Sequence, residues 1–206
     1  MQETNPWVSK PVQTDSVGHQ GAKAPDVAPT RLTGPHRPQP RTVQQPVGGL
    51  PVFAIQPGVE PAFWWVSCHG GAGSSTLATA IGLSGAEAGG YWPAPPRPAL
   101  ARVVLVARTH HYGLTRAQLA GRQWASAQVP EGVEVLGLVQ VADAPGKLPR
   151  ELRELAHLVG GGFPRLWRIP WIEDLRRGAT LPPDHPALRQ LGLDLYHITS
   201  GGTRHA

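Results

Sequence analysis

The chain has 206 residues, 40% of them hydrophobic and 16% charged, which suffices for one domain of ordinary size and a tail. Its single cysteine excludes an intramolecular disulfide framework, and no run approaches the roughly 20 apolar residues that span a bilayer. The formal net charge of +5 permits only unspecific, salt-sensitive attraction to nucleic acid. We therefore expect a cytoplasmic protein without a transmembrane segment.

The first part of the chain is rich in proline. Ten of the 23 prolines fall before residue 60, with few large apolar side chains between them. Too little apolar surface is then available to offset the entropy that is lost on ordering. We predict a disordered tail over residues 1–58, an ordered domain over residues 59–198 and a second disordered tail over residues 199–206.

The ordered part begins with an apolar run that ends in a glycine-rich turn. Residues 62–68 read Ala-Phe-Trp-Trp-Val-Ser-Cys, which is typical of a strand buried on both faces. After the turn, residues 74–88 are predicted to form a helix. Residues 89–98 are rich in proline and predict either a loop or an elaboration that projects Tyr91 and Trp92.

Three more apolar runs predict strands, over residues 102–107, 133–142 and 165–170. Helical patterns follow each of them. Short apolar strands that alternate with helices are typical of a parallel sheet with helices on both faces. The predicted fold is a small α/β domain of four or five strands, of the P-loop or Rossmann-like class. Ligands of such sheets bind at the carboxyl ends of the strands.

The later helices are predicted from caps and apolar stripes. Thr115, with Gln118 three residues on, has the form of a capping box, and that helix should run to about Ala127. Two apolar stripes at helical spacing follow, Leu148, Leu152, Leu155 and Val159, then Leu188, Leu191, Leu195 and Ile198. The last stripe either packs on the protein's own sheet or docks on a membrane or a partner.

The stretch with the most chemical content is the turn from Cys68 to Thr76, Cys-His-Gly-Gly-Ala-Gly-Ser-Ser-Thr. A strand, a glycine-rich turn and a helix start form the setting in which backbone N–H groups hold phosphate. Glycines let phosphate oxygens approach the backbone closely and accept positive φ. The lysine that a phosphate loop places before its Ser/Thr is replaced here by Ser74.

This turn resembles the loop of the partitioning and septum-site ATPases, the ParA/MinD-like family, whose motif is Lys-Gly-Gly-x-Gly-Lys-[Ser/Thr]-Thr. The corresponding positions are His69, Gly70, Gly71, Gly73, Ser74, Ser75 and Thr76. His69 stands at the leading signature lysine and Ser74 at the phosphate-loop lysine. The later Ile169-Pro170 looks like the end of the family's last strand. The chain looks like a lysine-less branch of such proteins in high-GC bacteria.

The resemblance implies that the residues from His69 to Thr76 hold the phosphates of ATP, with Mg²⁺ on the hydroxyl of Ser75. Asp143 is either a metal-side carboxylate or a contact to the base, and its place in the chain favours the base. The family's Mg²⁺-organising aspartate is replaced by Ala107-Arg108. With both this aspartate and the lysine missing, we expect weak or absent nucleotide binding and no efficient hydrolysis.

The implied role is that of a switch or adaptor in a DNA-partitioning, conjugative-transfer or secretion-type system, with a protein partner or a second copy of the chain. Two other functions stay open. In one, the protein is an active ATPase to which an arginine such as Arg108 or Arg116, or a partner, supplies the missing cation. In the other, it is a ligand-free α/β scaffold for protein partners, to which Trp167 and Trp171 could contribute unless they belong to the core.

Two further motifs have ordinary interpretations. Cys68 could be a nucleophile at a helix start, although a buried cysteine at a strand end is the simpler interpretation. His110 and His111 lack a partner at the spacing of metal ligands, so we predict no zinc site.

Overall fold

The computed structural model describes residues 30–182 and 184–200. The predicted disorder of residues 1–29 and 201–206 lies outside the described residues. The strands are β1 (Val52–Ala54), β2 (Phe63–Ser67), β3 (Gly85–Gly89), β4 (Trp92–Ala94), β5 (Ala101–Arg108), β6 (Val133–Val141) and β7 (Leu166–Ile169). The helices are α1 (Ser74–Ile81), α2 (His111–Ala125), α3 (Arg150–Gly160), α4 (Glu173–Arg176) and α5 (Pro186–Ser200).

Five of the strands form one sheet in the order β3-β2-β5-β6-β7, and each neighbouring pair is parallel. The predicted α/β fold with a parallel sheet of four or five strands is thereby confirmed. Because the strands are parallel, the loops that follow β2, β5, β6 and β7 gather at one edge of the sheet. Ligands of open parallel sheets bind at this edge.

The sheet is covered on both faces. Alternate residues of β2 face opposite layers, with Trp64 in the cluster that contains α2 and α3 and Trp65 in the cluster that contains α1 and α5. The second cluster includes Leu188, Leu191 and Leu195, so the last apolar stripe packs on the protein's own sheet. No helix among the described residues is both long and apolar enough to cross a membrane.

Trp167 belongs to the core, which is one of the two interpretations that the sequence left open for the tryptophans. Its ring is buried, and its indole N–H donates to the carboxylate of Asp194 on α5 at 2.7 Å. Asp194 also accepts from the Thr30 N–H at 3.1 Å, which ties the start of the described chain to α5. Trp171 is half-buried, and its indole N–H donates to Glu173 at 2.8 Å.

The segment before β2 is ordered from residue 30, which corrects the predicted disorder of residues 30–58. β1 pairs in parallel with β4, and Leu50 and Ile55 are buried in the layer of α2. Gln123 of α2 fastens this segment, because its Oε1 accepts from the Leu50 N–H at 2.8 Å and from the Trp92 indole at 3.1 Å. The amino-acid composition did not predict that this segment is ordered, because a few isolated side chains, rather than an apolar run, hold it against the domain.

Two predictions for the region after the glycine-rich turn are wrong. The helix expected over residues 74–88 ends at Ile81, where Gly82 follows as its C-cap with a left-handed φ of 62°. The chain then forms β3, whose pairing with β2 outweighs its weak strand propensity. Trp92 was expected in a loop or projecting from an elaboration, but it is fully buried in β4, while Tyr91 is 48% exposed.

Helix α2 begins earlier than predicted. Its N-cap is His110, whose Nδ1 accepts from the Gly113 N–H at 2.9 Å. Thr115, the predicted cap, lies inside the helix, and its hydroxyl donates to the His111 carbonyl at 2.9 Å. Histidine is not among the residues that usually cap helices, so the sequence pattern favoured Thr115.

Candidate functional site at the glycine loop

Residues 68–76, hereafter the glycine loop, join β2 to α1 at the carboxyl edge of the sheet. Gly71 and Gly73 have φ values of 73° and 99°, which residues with a Cβ rarely adopt. A Cβ at Gly70 or Gly71 would meet no atom within 4 Å, so the space around these two residues is open. The first N–H groups of α1 have no partner within the helix, and this end of the helix is electropositive.

The glycine loop is one wall of a cavity of about 630 Å³, hereafter the loop cavity. Its other walls are Leu50, Pro51, Ser67, Gly89, Gly90, Arg108, Tyr112 and Arg116. Its volume lies in the range of small-molecule sites. Among the described residues that line it, two are arginines and none carries a carboxylate, so the cavity attracts anions.

Arg108, at the end of β5, ties the glycine loop to a neighbouring strand. Its Nε donates to the Gly71 carbonyl at 3.2 Å and its Nη1 to the Ala142 carbonyl at 3.2 Å. The guanidinium thus places a positive charge at the end of β5, beside the glycine loop.

Arg116 brings a second cation from α2. Its Nε is buried and has no hydrogen-bond partner among the described residues. An unpaired buried donor costs about 1–3 kcal/mol, and native proteins contain few of them. Because Arg116 lines the loop cavity, an anion bound there is the kind of partner that this donor lacks.

His69 is held inside the fold. Its Nε2 accepts from the Arg108 N–H at 3.0 Å, so Nδ1 carries the proton and donates to the Gly70 carbonyl at 2.8 Å. The ring also packs against His110 and Tyr112, at centroid distances of 5.1 and 5.9 Å. Burial lowers the pKa of His69 below its ordinary value, which keeps the ring neutral. His69 therefore positions the loop and does not supply the charge of the signature lysine.

Two of the three hydroxyl groups of the loop, those of Ser74 and Ser75, form hydrogen bonds. Ser74, at the position of the family's lysine, is buried, and its Oγ lies 2.5 Å from that of Ser67. Ser75, predicted to hold Mg²⁺, is exposed and donates to the carboxylate of Glu87 on β3. Thr76 is exposed and lines the loop cavity. Ser75 and Glu87 together present two oxygen ligands of the kind that Mg²⁺ prefers.

Cys68 and His110 have structural surroundings. Burial raises the pKa of Cys68 to about 12, so its thiol stays protonated and unreactive. His110 caps α2 through its side chain. Across residues 30–182 and 184–200, no group of three or more His, Cys, Asp or Glu side chains is placed to hold a metal ion.

Asp143 lines a different cavity from the other predicted site residues, although its charge still acts on His69. It is exposed after β6, and its N–H donates to the Thr109 hydroxyl at 3.2 Å. It lines a separate cavity of about 970 Å³ beside α3, hereafter the helix cavity. The structure thus brings the residues from His69 to Thr76 together and places Asp143 at a different cavity.

A third cavity of about 210 Å³, hereafter the bridging cavity, lies between these two. It shares Gly73, Thr76 and Arg108 with the loop cavity, and it shares Ala142, Ile169 and Pro170 with the helix cavity. Apolar side chains and one further cation complete its walls, namely Leu77, Val141, Trp171, Ile172, Leu175 and Arg176.

The sequence did not place three residues that lie at or beside the loop cavity, namely Arg108, Arg116 and Glu87. Arg108 and Arg116 were weighed as substitutes for the lysine, but nothing in the sequence indicates that a strand end and a helix bring both to one cavity. Glu87 was assigned to the interior of a helix, and its contact with Ser75 depends on the unpredicted strand β3. An acidic residue close after a glycine loop is the signal that could have drawn attention to it.

A comparison with protein families matches residues 61–190 to a family of unknown function, DUF6668. The match covers more than half of the chain, which therefore belongs to that family. The matched range begins just before β2 and ends within α5, so it contains the whole five-stranded sheet. No curated protein and no solved structure matches the chain.

Proposed function

We propose that this member of the DUF6668 family binds a nucleotide weakly at the glycine loop and does not hydrolyse it efficiently. Arg108 and Arg116 take the place of the missing loop lysine. The observation that carries the proposal is the buried, unpaired Nε of Arg116 at the loop cavity. A phosphate oxygen would be its partner, and the backbone N–H groups at the start of α1 would hold others.

The bridging cavity supports a nucleotide over a simple phosphate. It adjoins the loop cavity at Gly73 and Thr76, and Trp171 offers an aromatic ring at its wall. A ligand with its phosphates in the loop cavity can extend past Arg108 and place a base against these apolar side chains. Asp143, at the helix cavity, has no part in this arrangement.

Mg²⁺ fits the site through the hydroxyl of Ser75 and the carboxylate of Glu87, with phosphate oxygens and water as further ligands. A bound ion would neutralise charge on the phosphates. The chain's own contribution to turnover is small, since Glu87 would be engaged with the metal and no carboxylate among the described residues lines the loop cavity itself to orient an attacking water.

The contacts of Arg108 support a role as a switch or adaptor. This side chain bonds at once to the glycine loop and to the Ala142 carbonyl, at the start of the β6–α3 connection. A phosphate that recruits the guanidinium competes with both bonds. Nucleotide binding would thereby reach the β6–α3 connection, where a partner could read it. The setting that the ParA/MinD resemblance favours is a DNA-partitioning, conjugative-transfer or secretion-type system.

The test is calorimetry and thermal shift with ATP, ADP and GTP, with and without Mg²⁺. We expect high-micromolar to millimolar dissociation constants, and Arg116→Gln should weaken binding about tenfold or more. Arg122→Gln on the same helix is the matched control, because Arg122 is exposed and does not line the cavity. Phosphate release with and without DNA tests whether turnover stays slow.

A ligand-free scaffold is the second candidate, because the loop is already closed by its own hydrogen bonds. Ser74 bonds to Ser67, Ser75 to Glu87 and Arg108 to Gly71. If millimolar nucleotide neither releases heat nor stabilises the protein, this scaffold function replaces nucleotide binding.

A further inference from the structure

The helix cavity contains the other buried side-chain atom without a hydrogen-bond partner among the described residues, Oε1 of Gln140. Gln140 lies on β6 and is only 1% exposed. Its Nε2 donates to the Ala156 carbonyl of α3 at 2.8 Å. Because that partner is a carbonyl, the nitrogen must face it and the oxygen must point elsewhere. Gln140 lines the helix cavity, so a buried acceptor without a partner among the described residues lies next to it.

The walls and rim of the helix cavity differ in character. Apolar side chains from the β6–α3 connection, α3 and β7 form the walls, among them Leu148, Leu152 and Ile169. The rim carries three exposed cations that make no ion pair with another described residue, namely Lys147, Arg153 and Arg168. Against them stand Asp143 and Glu154, and Glu154 is already paired with Arg150 at 2.8 Å.

We propose that the helix cavity is a second ligand site, for a small carboxylate with an apolar body and an N–H or O–H donor at its far end. The donor would bond to Gln140 Oε1, the body would lie against the leucines of α3 and its preceding connection, and the carboxylate would meet the rim cations. The volume of about 970 Å³ is at the upper end of small-molecule sites. This site does not depend on nucleotide binding at the loop cavity.

The probe is 4-hydroxyphenylacetate, which has a phenol at one end and a carboxylate at the other. Phenylacetate lacks the phenol, and 2-(4-hydroxyphenyl)ethanol lacks the carboxylate. Saturation-transfer NMR titrations should show saturable binding of the first compound. We expect each of the two others to bind about fivefold more weakly, since each lacks one hydrogen-bonding or charged group.

Two variants separate the contributions of the residues. Gln140→Met removes the free oxygen with little change in volume, so it should abolish the preference for 4-hydroxyphenylacetate over phenylacetate. Arg168→Gln should weaken both acids and leave the alcohol unchanged, whereas Arg189→Gln, on α5 away from the cavity, should change none of them. Circular dichroism melts check that each variant folds.

Three results would overturn the proposal. One is the absence of saturable binding of all three compounds at millimolar concentration. Another is a preference for the phenol that survives Gln140→Met, which would mean that the phenol does not bond to Gln140 Oε1. The third is equal weakening by Arg168→Gln and Arg189→Gln, which would reduce the role of the rim to general charge.

Discussion

The loop cavity and the helix cavity lie at the same edge of one sheet, yet their walls offer a ligand opposite chemistry. The loop cavity has glycine backbone and two arginines, and its unpaired buried atom is a donor, Arg116 Nε. The helix cavity has apolar walls, and its unpaired buried atom is an acceptor, Gln140 Oε1. The loop cavity therefore favours an anion, whereas the helix cavity favours a ligand with a donor at its buried end.

The difference follows from the strands that end at each cavity. β2 runs into glycines that bend the chain sharply and leave backbone exposed, so polar groups of the main chain form the wall. β6 runs into a longer connection and an amphipathic helix, so side chains form the wall. Neighbouring positions in a parallel sheet can thus hold unrelated sites, because each loop sets its own chemistry.

The largest expected effect is a difference in the free energy of unfolding between variants of two buried glutamines, Gln123 and Gln140. Gln123→Met leaves the Leu50 N–H and the Trp92 indole without their acceptor, which should lower the free energy of unfolding by about 2–4 kcal/mol. Gln140→Met removes an acceptor that has no partner and only one hydrogen bond, the one to the Ala156 carbonyl, so we expect a smaller loss of about 1 kcal/mol. Urea unfolding of both variants measures this contrast. Equal losses would mean that Gln140 Oε1 is satisfied in solution.

Helix α2 lies very close to the glycine loop at Gly113. A Cβ at Gly113 would lie 2.3 Å from the Arg108 carbonyl oxygen and 2.9 Å from His69 Nε2. Gly113→Ala should therefore destabilise the fold by about 1–3 kcal/mol and shift Arg116 away from the loop. Gly192→Ala on α5 is the control, because its Cβ would meet no atom within 4 Å and should stabilise the helix by about 0.5–1 kcal/mol. Guanidinium unfolding that ranks the two variants in reverse order would contradict this account.

An added positive charge should raise ATP affinity only when it is placed at the loop cavity. Ser74→Lys places a cation where the ParA/MinD-like motif has its phosphate-loop lysine, and it removes the hydrogen bond between Ser74 and Ser67. We expect ATP affinity to rise about tenfold, which corresponds to roughly 1.4 kcal/mol. Ala144→Lys adds the same charge at the helix cavity and should leave ATP affinity unchanged. An unchanged dissociation constant for Ser74→Lys would refute the alignment of the glycine loop with the phosphate loop.

The smallest expected effect is a dependence of stability on pH at His69. Its pKa is lowered in the folded protein, so the unfolded chain takes up a proton as pH falls through about 6.5 while the folded chain resists it. The contribution of His69 is complete above that pH and declines below it. His69→Gln should therefore lose less stability than the wild type between pH 7.5 and 5.5, measured by urea unfolding. His157→Gln, on the exposed side of α3, should behave as the wild type. Parallel pH profiles for all three proteins would show that His69 is not held neutral.

Much of the fold could be predicted because its central strands are apolar on both faces. The runs around Val66, Leu105 and Leu138 have no other plausible place than the middle of a covered sheet. The stripe of α5 at helical spacing was equally informative. In contrast, β3 (Gly-Ala-Glu-Ala-Gly) has no strand pattern of its own and forms only because β2 is there to pair with it.

The candidate site was predictable only where its residues are consecutive. The glycines of the loop could be recognised from the sequence, since their spacing indicates a turn with positive φ. The cations Arg108 and Arg116 come from different elements, and Asp143, which chain order favoured as a contact to the base, lines a different cavity from the glycine loop. His69 shows a further limit, because its role depends on the Arg108 N–H, 39 positions later in the chain.

The most direct test of nucleotide binding is an NMR titration that follows the arginine Nε–Hε resonances of the labelled protein with ATP and, separately, with adenosine. Assignment of the Arg116 signal comes from its loss in Arg116→Gln. We expect the Arg116 Nε–Hε resonance to shift saturably with ATP and to stay in place with adenosine, because the phosphates supply the partner that this donor lacks. An Arg116 resonance that ATP leaves unmoved, while other arginine signals shift, would contradict the assignment of the phosphate site.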